Sequence, residues 1–341
     1  MDVKVALIGK GRVGTSFLQL LKEKKNILKN KFNLNLIIVA IFEYDGVLLN
    51  EEGLNLEMVL DKRENFRELP FWKNNVKPEE LFNNNKLDLK ICIEATPTNH
   101  KTGEPALSHI VEALKNGINI VSSNKGPFYL KYKKIKDLAN KNNCIVKYEA
   151  SVASVVPALS MAECLIGNKI THIKAILNGT CNYILSRMTA EGILFSTALK
   201  EAQELGIAEA DPTLDIEGFD AAGKIVILAN ELLGLSKNIK DVTIKGISKI
   251  TPQAIELAKT DGLVIKHLAI VEDDEILVEP RLIKSDSPLN ISGTLNIIEF
   301  QTQYSGPIIL MGRGAGGYEA ASAILNDLIN VAINRGYATK N

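Results

Sequence analysis

The chain has 341 residues, of which 46% are hydrophobic and 23% charged, a composition typical of a globular protein with about two domains. Its 40 basic and 40 acidic side chains give a formal net charge of zero, which argues against electrostatic capture of nucleic acid or of an anionic membrane surface. The longest apolar run near the start, residues 36–42, is too short to span a bilayer, and the N-terminus lacks the pattern of a secretory signal peptide.

The N-terminal third alternates predicted strands and helices, which is typical of a Rossmann-type α/β domain with a parallel sheet. An apolar strand over residues 3–8 runs into GKGRVG, residues 9–14, and then into a helix over residues 15–30. The GxGxxG pattern therefore lies between a strand and a helix, where glycines let the backbone approach the pyrophosphate of a dinucleotide. A glycine-rich turn that only packs a helix on a sheet is the alternative interpretation.

The second predicted strand, residues 34–43, ends on Glu43. An acid at this strand end hydrogen-bonds the adenosine ribose, which favours NAD over NADP. The next residues, 44–46, supply no cation, but Lys10 and Arg12 in the glycine loop could pair with the 2′-phosphate of NADP. We expect NAD to be slightly favoured, and the choice between the two cofactors stays open.

Two more strands are predicted over residues 88–95 and 118–123, with a helix near residues 104–116 between them. Each strand is followed by a polar turn, residues 96–99 and 124–127 respectively. Since the carboxyl ends of parallel strands are where open α/β sheets bind ligands, both turns are candidate parts of a binding site.

From about residue 144 the pattern predicts an α+β second domain with a mixed or antiparallel sheet. Its predicted strands cover residues 144–151, 170–177, 263–273, 275–283 and 293–303, and its predicted helices cover residues 155–166, 181–191, 196–205 and 219–235. Glycines at 312, 314, 316 and 317 precede a last amphipathic helix, which we expect to return to the first domain. The predicted domains are therefore residues 1–148 together with 312–341, and residues 149–311.

Residues 205–224, LGIAEADPTLDIEGFDAAGK, place five carboxylates ahead of one lysine, Lys224. Asp220 and Lys224 share a helix face, and most such pairs are surface ion pairs worth a few tenths of a kcal/mol. This helix is apolar almost all round, which indicates burial, so its lysine needs a charged partner or a cleft. Nucleotide loops on one domain and an acidic cleft with a lysine on the other predict a dehydrogenase for an alcohol that bears an amino group.

The chain resembles homoserine dehydrogenase through motifs that follow in family order over nearly its whole length. They are GKGRVG, SSNKGP (122–127), YEASV (148–152), LNGTCNYILSRM (177–188), EAQELGIAEADPTLDIEGFDAAGK (201–224) and GRGAGG (312–317). The resemblance implies NAD(P)-dependent interconversion of L-homoserine and L-aspartate 4-semialdehyde, on the route to threonine, methionine and isoleucine.

Carried over by position, the resemblance implies that Lys224 donates and accepts the proton, with Lys125 near both nicotinamide and substrate. Which of the two lysines is the main proton relay stays open. The implied substrate ligands are Gly206, Glu209, Asp215 and Asp220. The implied cofactor contacts are Gly9, Gly11, Val13, Gly14, Thr96, Lys125 and Gly317, in addition to Arg12 and Glu43 named above.

The resemblance also implies a monovalent cation, usually sodium, after the YEA strand. Its implied ligands are Glu149, Val152, Ser154 and Val156. The usual glycine-rich turn of the family is replaced here by Ala153-Ser154-Val155. The Cβ atom of Val155 disfavours any positive φ that a glycine would adopt, although backbone carbonyls can still bind a cation.

The resemblance further predicts the monofunctional short form without a C-terminal regulatory domain, and a homodimer that meets through the second sheet. The four cysteines form no CxxC pair, which indicates reduced thiols in a cytoplasmic protein. Two rival hypotheses remain: a dehydrogenase for another small amino alcohol or amino acid, and a non-catalytic Rossmann nucleotide sensor. The sensor predicts the loss of Lys125, Glu209, Asp220 or Lys224, and all four are present.

Overall fold

The structure is a computed structural model that describes residues 1–62, 65–83 and 87–339. The chain forms two compact units, Met1–Ser151 with Gly316–Asn341, and Val152–Ala315. The domain boundaries predicted from the sequence lie after residues 148 and 311. Within the described ranges, no helix combines the length and the hydropathy needed to cross a membrane.

The first unit is built on one mostly parallel sheet. Its strands are β1 (Asp2–Ile8), β2 (Asn35–Glu43), β3 (Gly46–Leu49), β4 (Trp72–Asn74), β5 (Ile91–Glu94), β6 (Asn119–Ser122) and β7 (Val146–Lys147). They lie in the order β4-β3-β2-β1-β5-β6-β7, and the ladder from β2 to β7 is parallel. This confirms the predicted Rossmann-type sheet. The antiparallel strands β3 and β4, at one side of the sheet, were not predicted.

Helices cover this sheet and position the loops at its carboxyl end. They are α1 (Arg12–Phe32), α2 (Leu56–Asp61), α3 (Pro78–Phe82), α4 (Ala106–Lys115) and α5 (Gly126–Lys141). The core includes Val5 and Leu7 of β1 together with Phe17 and Leu18 of α1, all with no exposed surface. The apolar face of α1 therefore fixes the start of that helix over the end of β1.

The second unit contains a mixed sheet. Its strands are β8 (Ile170–Ile176), β9 (Val242–Ile244), β10 (Leu263–Glu272), β11 (Glu275–Lys284), β12 (Leu295–Thr302) and β13 (Gly306–Arg313), in the order β13-β12-β8-β10-β11-β9. Only the β11–β9 pair among these is parallel. The predicted mixed or antiparallel sheet is confirmed.

Helices of the second unit pack on this sheet. They are α6 (Met161–Cys164), α7 (Gly179–Glu191), α8 (Phe195–Glu204), α9 (Thr213–Ile216), α10 (Phe219–Leu233) and α11 (Pro252–Thr260). Every residue from Asp220 to Asn230 in α10 is buried, and the helix contacts β8, β10 and β11. The prediction of a buried helix around Lys224 is therefore confirmed.

Two predictions between residues 144 and 166 are wrong. The expected strand 144–151 shortens to β7, which belongs to the first sheet, and the chain continues as a 3-10 turn over Glu149–Ser151. The expected helix 155–166 shortens to α6. Pro157 lies inside that segment, and proline removes an N–H donor and disfavours the helical conformation of the residue before it.

The last helix, α12 (Gly317–Asn334), belongs to the first unit and packs along α1. Ile324, Leu328 and Val331 of α12 have no exposed surface in this core. The C-terminal segment therefore completes the layer of helices that holds the glycine loop.

Candidate functional site

The glycine loop between β1 and α1 has the shape that a pyrophosphate needs. Gly9 has a φ of +94°, and a Cβ atom there would lie 2.7 Å from the Ala95 carbonyl oxygen. A Cβ atom at Gly14 would overlap the carbonyl oxygen of Gly9, whereas one at Gly11 would meet nothing within 4 Å. The helix begins at Arg12 with no side-chain cap, so backbone N–H groups of its first turn, which includes Val13, are available to an anion.

Glu43 lies beside this loop at the end of β2. Its Oε1 atom accepts a hydrogen bond of 2.6 Å from the backbone N–H of Lys10. The Lys10 ammonium group lies 4.6 Å from the centroid of the Phe66 ring, and Arg12 is exposed. Glu43 therefore lies next to the glycine loop, and Lys10 and Arg12 lie within it.

The structure adds a cation that sequence reasoning missed. Arg67 donates from Nε to Asp45 at 2.7 Å and from Nη2 to the same carboxylate at 3.1 Å. Its guanidinium carbon lies 5.5 Å from the centroid of the Tyr44 ring and close to the rings of Phe66 and Trp72. The hydrogen bond with Arg67 lowers the pKa of Asp45, so this carboxylate stays charged.

The turns after β5 and β6 are joined by side chains. Asn124 donates to the carbonyl oxygen of Thr96 at 3.1 Å and accepts a bond of 3.1 Å from the N–H of Gly126. Lys125 lies between Asn124 and Gly126 in the chain, so this bond holds Lys125 at the start of α5. The N–H of Thr96 donates at 2.9 Å to Glu94, a carboxylate with no exposed surface. Glu94 was not predicted, because no spacing in the sequence marks it. Asn124 lies in the predicted turn 124–127, but the bonds by which it joins the two turns were not predicted.

Gly317 allows α12 to approach the start of α1. A Cβ atom at this position would lie 2.7 Å from Ser16 Oγ and 3.1 Å from Arg12 Cγ. Any larger residue would therefore require the Ser16 and Arg12 side chains to move.

The acidic cluster of the second unit centres on Lys224. The Nζ atom of Lys224 lies 2.8 Å from Oδ2 of Asp220 and donates to the Leu177 carbonyl oxygen, also at 2.8 Å. Lys224 is 9% exposed and Asp220 is 6% exposed. Among the described residues these are the partners of the ammonium group, so its third N–H is available to a substrate.

Asn178 links the two predicted aspartates. Its Nδ2 atom donates to Asp215 at 2.7 Å and to Asp220 at 3.0 Å, while its Oδ1 atom caps α7 by accepting from the N–H of Cys181 at 2.9 Å. The Thr180 hydroxyl lies 3.1 Å from the other oxygen of Asp215. Burial and the nearby charge of Asp220 raise the pKa of Asp215. An additional positive charge in this pocket would relieve that repulsion.

Glu209 and Gly206 lie on the exposed segment between α8 and α9. Gly206 has a φ of +68° just after α8, and the Gln203 side chain donates to the Glu209 carbonyl oxygen at 3.2 Å. In the part of the chain that the structure describes, no hydrogen bond joins the Glu209 carboxylate to Asp215, Asp220 or Lys224. The structure therefore groups three of the predicted acidic-site residues and leaves Glu209 on a neighbouring loop.

Two segments carry the predicted cation ligands. In the first unit, Glu149 is buried and its N–H donates to Asp327 at 2.9 Å. In the second unit, the Val156 carbonyl oxygen accepts a bond of 2.7 Å from the N–H of Ala158. Among the described residues, no group of three or more His, Cys, Asp and Glu is placed to hold a metal ion.

One residue of this turn has left-handed backbone. Ser154 has a φ of +50°, whereas Val155 does not have a positive φ, in agreement with the steric effect expected of its Cβ atom. The left-handed residue that replaces a glycine is Ser154. Val152, its neighbour two residues earlier, is buried.

Comparison with known proteins gives a consistent family. A model of the homoserine dehydrogenase NAD-binding domain matches residues 9–149, and the homoserine dehydrogenase model matches residues 135–329. Homoserine dehydrogenase of Methanocaldococcus jannaschii is 44% identical, over 96% of this chain and 98% of the relative. The NAD(+)-dependent enzyme of Pseudomonas canavaninivorans is 38% identical, over 97% and 96%. A hyperthermophilic archaeal homoserine dehydrogenase in complex with NADPH matches at a TM-score of 0.84 and 28% identity, over 98% of each chain.

Proposed function

Because the chain belongs to the homoserine dehydrogenase family, we propose that its Lys224–Asp220 pair moves the proton in the reaction of that family. The protein is an NAD(P)-dependent oxidoreductase that interconverts L-homoserine and L-aspartate 4-semialdehyde, on the route to threonine, methionine and isoleucine. The observation that carries the proposal is the buried ammonium group, held by a carboxylate and a backbone carbonyl with one N–H left over.

In the direction of reduction, the aldehyde oxygen gains negative charge and then a proton. The Lys224 ammonium group donates that proton through its remaining N–H, while Asp220 holds the group in place by an ion pair. In the direction of oxidation the neutral amine accepts the hydroxyl proton. A bound nicotinamide cofactor would supply the hydride for reduction and accept it in oxidation.

The acidic cluster binds the amino group of the substrate. Asp215 and Asp220 share the donor Asn178. The ammonium group of the substrate would supply a positive charge that offsets the repulsion between these two carboxylates. Glu209 on the exposed loop is a further ligand of this ammonium group, and Gly206 supplies a backbone contact. Both of these roles follow from the family resemblance.

The first unit holds the cofactor. Gly9, Gly11, Val13 and Gly14 would hold the pyrophosphate, since the loop leaves open space at Gly11 and presents uncapped N–H groups. The other contacts are Arg12, Glu43, Thr96, Lys125 and Gly317. Glu43 and Asp45 are two carboxylates near the ribose end, and Asp45 neutralises Arg67, so NAD is favoured over NADP.

Lys125 orients cofactor and substrate, and Lys224 is the main proton relay. Lys125 is held by its neighbours at the start of α5 and is half-buried, whereas Lys224 is buried next to a carboxylate. A charged amine near the developing alkoxide would add electrostatic stabilisation without transferring the proton.

The protein forms a cytoplasmic homodimer through one face of the second sheet. Ile309 and Met311 of β13 are 36% and 58% exposed, and their row continues through Glu299, Lys174 and Ile270 on the neighbouring strands. A partly apolar sheet face of this kind is typical of a subunit contact.

A monovalent cation bound by Glu149, Val152, Ser154 and Val156 would stabilise the fold. The support is the left-handed backbone of Ser154, in the turn that stands where the family has a glycine-rich segment. If the cation binds, the Tm should rise in sodium chloride relative to choline chloride at equal ionic strength. Equal values in the two salts would argue against the site.

One assay tests the central proposal. Purified protein is mixed with homoserine or aspartate semialdehyde and with each nicotinamide cofactor in turn, and absorbance is followed. No change with any combination would contradict the proposed activity. Turnover of another amino alcohol in place of homoserine would favour the rival dehydrogenase.

A further inference from the structure

Lys224 shares its backbone acceptor with a second buried side chain. The Leu177 carbonyl oxygen accepts from Lys224 Nζ at 2.8 Å and from Asn296 Nδ2 at 3.0 Å. Asn296 lies near the start of β12 and is 2% exposed. From this shared oxygen we infer that Asn296 is a positioning residue for Lys224, a role that rests on the proposed acid–base function of the lysine.

The physical reason is that a lysine side chain is long and its ammonium group has no fixed direction of its own. The bond to Asp220 comes from the same helix, so it restrains Nζ along α10 only. Leu177 lies at the junction of β8 and α7, and its carbonyl restrains Nζ from a second element. A carbonyl oxygen offers two lone-pair directions, and Asn296 occupies one and leaves Lys224 the other. The direction of the third N–H therefore depends on Asn296.

Gly314 supports the same assignment. A Cβ atom at this position would overlap the carboxamide of Asn296, yet the backbone there does not have the positive φ that requires glycine. The absence of a side chain at Gly314 is therefore explained by the space that Asn296 occupies. Asn296 pairs with Gly312 across the β12–β13 ladder, which brings the glycine segment against the carboxamide.

The test is steady-state kinetics of Asn296→Ala on the full chain. We expect kcat to fall about 10- to 100-fold, the usual effect of misplacing a catalytic group by about 1 Å, with the KM for homoserine changed by no more than about threefold. Asn230→Ala is the matched control, since Asn230 is 1% exposed and donates to the Lys237 carbonyl oxygen at 2.8 Å, on the same helix as Lys224. That control should lower the Tm and leave kcat unchanged.

A second variant keeps the test decisive if Asn296→Ala folds poorly. Gly314→Ala should displace the Asn296 carboxamide and lower kcat in the same way, because the two groups cannot occupy the same space. In the Asn296→Ala background, Gly314→Ala should cause no further loss, since the carboxamide is already gone. Losses that multiply in the double variant would overturn the inference.

The outcomes separate this inference from the proposed function. An unchanged kcat in Lys224→Ala would refute the acid–base role of the lysine and with it the inference. A kcat for Asn296→Ala equal to that of Asn230→Ala, with Lys224→Ala inactive, would refute the positioning role of Asn296 alone.

Discussion

Lys224 Nζ lies 2.8 Å from Oδ2 of Asp220, one turn earlier on α10, within the stretch from Asp220 to Asn230 in which every residue is buried. Because both groups are almost entirely removed from solvent, the pair differs from an exposed i,i+4 ion pair in what its loss should do. The Asp220 carboxylate pairs with the ammonium group, which in the proposed mechanism acts on the bound substrate.

Replacing Lys224 with alanine should lower kcat about 10²–10⁴-fold, because positioned acid–base catalysis contributes about that much. Cofactor affinity should stay nearly unchanged. Lys245→Ala is the control, since Lys245 also pairs with a carboxylate, Glu279 at 2.7 Å, but is exposed. If Lys224→Ala keeps its turnover and only melts at a lower temperature, Lys224 is a structural ion-pair partner.

Glu209→Gln should chiefly raise the KM for homoserine. Removing a carboxylate that contacts the substrate ammonium weakens binding in the ground state and transition state together, so kcat changes little. Glu204→Gln is the control because Glu204 is an exposed acid at the end of the preceding helix. An unchanged KM in a correctly folded Glu209→Gln protein would remove Glu209 from the site.

Cofactor choice should depend on Glu43 and Arg67. The wild type should have a higher kcat/KM with NAD than with NADP, and Glu43→Ala should improve use of NADP by removing a carboxylate near the 2′-phosphate. Arg67→Ala should lower the use of NADP below that of the wild type, because it leaves the Asp45 carboxylate without its guanidinium partner. A wild type that strongly prefers NADP, with no gain in Glu43→Ala, would show that Glu43 points away from the ribose.

Stability should depend on pH through Lys266. Burial lowers the pKa of Lys266 from 10.5 to about 8, and its ammonium group donates to the neutral acceptors Ile291 O and Asn182 Oδ1. Between these two pKa values the unfolded chain binds more protons than the folded one, so this group adds stability as pH rises. That contribution is complete above 10.5 and is lost as pH falls through about 8.

Denaturant unfolding of wild type and Lys266→Met at pH 7, 8, 9 and 10 measures this contribution. The stability of the variant relative to wild type should be greatest at pH 7 and should decrease above pH 8. A difference that stays constant over the whole range would show that Lys266 keeps its ordinary affinity for protons in the folded protein.

Light scattering should give twice the mass of the 37.3 kDa chain at assay concentration. Met311→Lys and Ile309→Lys should shift the protein towards the monomer, because they place charge on the exposed apolar row of β13. The mass of a single chain in the wild type would contradict the dimer.

Much of the fold was predictable because its signals are local. The apolar run of β1, the glycine spacing and the start of α1 lie within residues 2–32, and each element determines the next through backbone geometry. The failures lie where the chain is irregular: Pro157 interrupts the segment 155–166, which composition alone suggested was a helix. Short edge strands such as β4 form only because a neighbouring strand supplies hydrogen-bond partners.

The sequence by itself determined the family, the dinucleotide loop, the acid at the end of β2 and the buried helix that carries Asp220 and Lys224. These features depend on spacing within one element, which a periodic pattern records. Only the tertiary structure decided the partners of those groups. Arg67 meets Asp45 across 22 residues, Asn178 meets Asp220 across 42 and Asn296 meets Leu177 across 119. Such hydrogen bonds depend on sheet register and on the packing of helices, so no local pattern in the sequence can mark them.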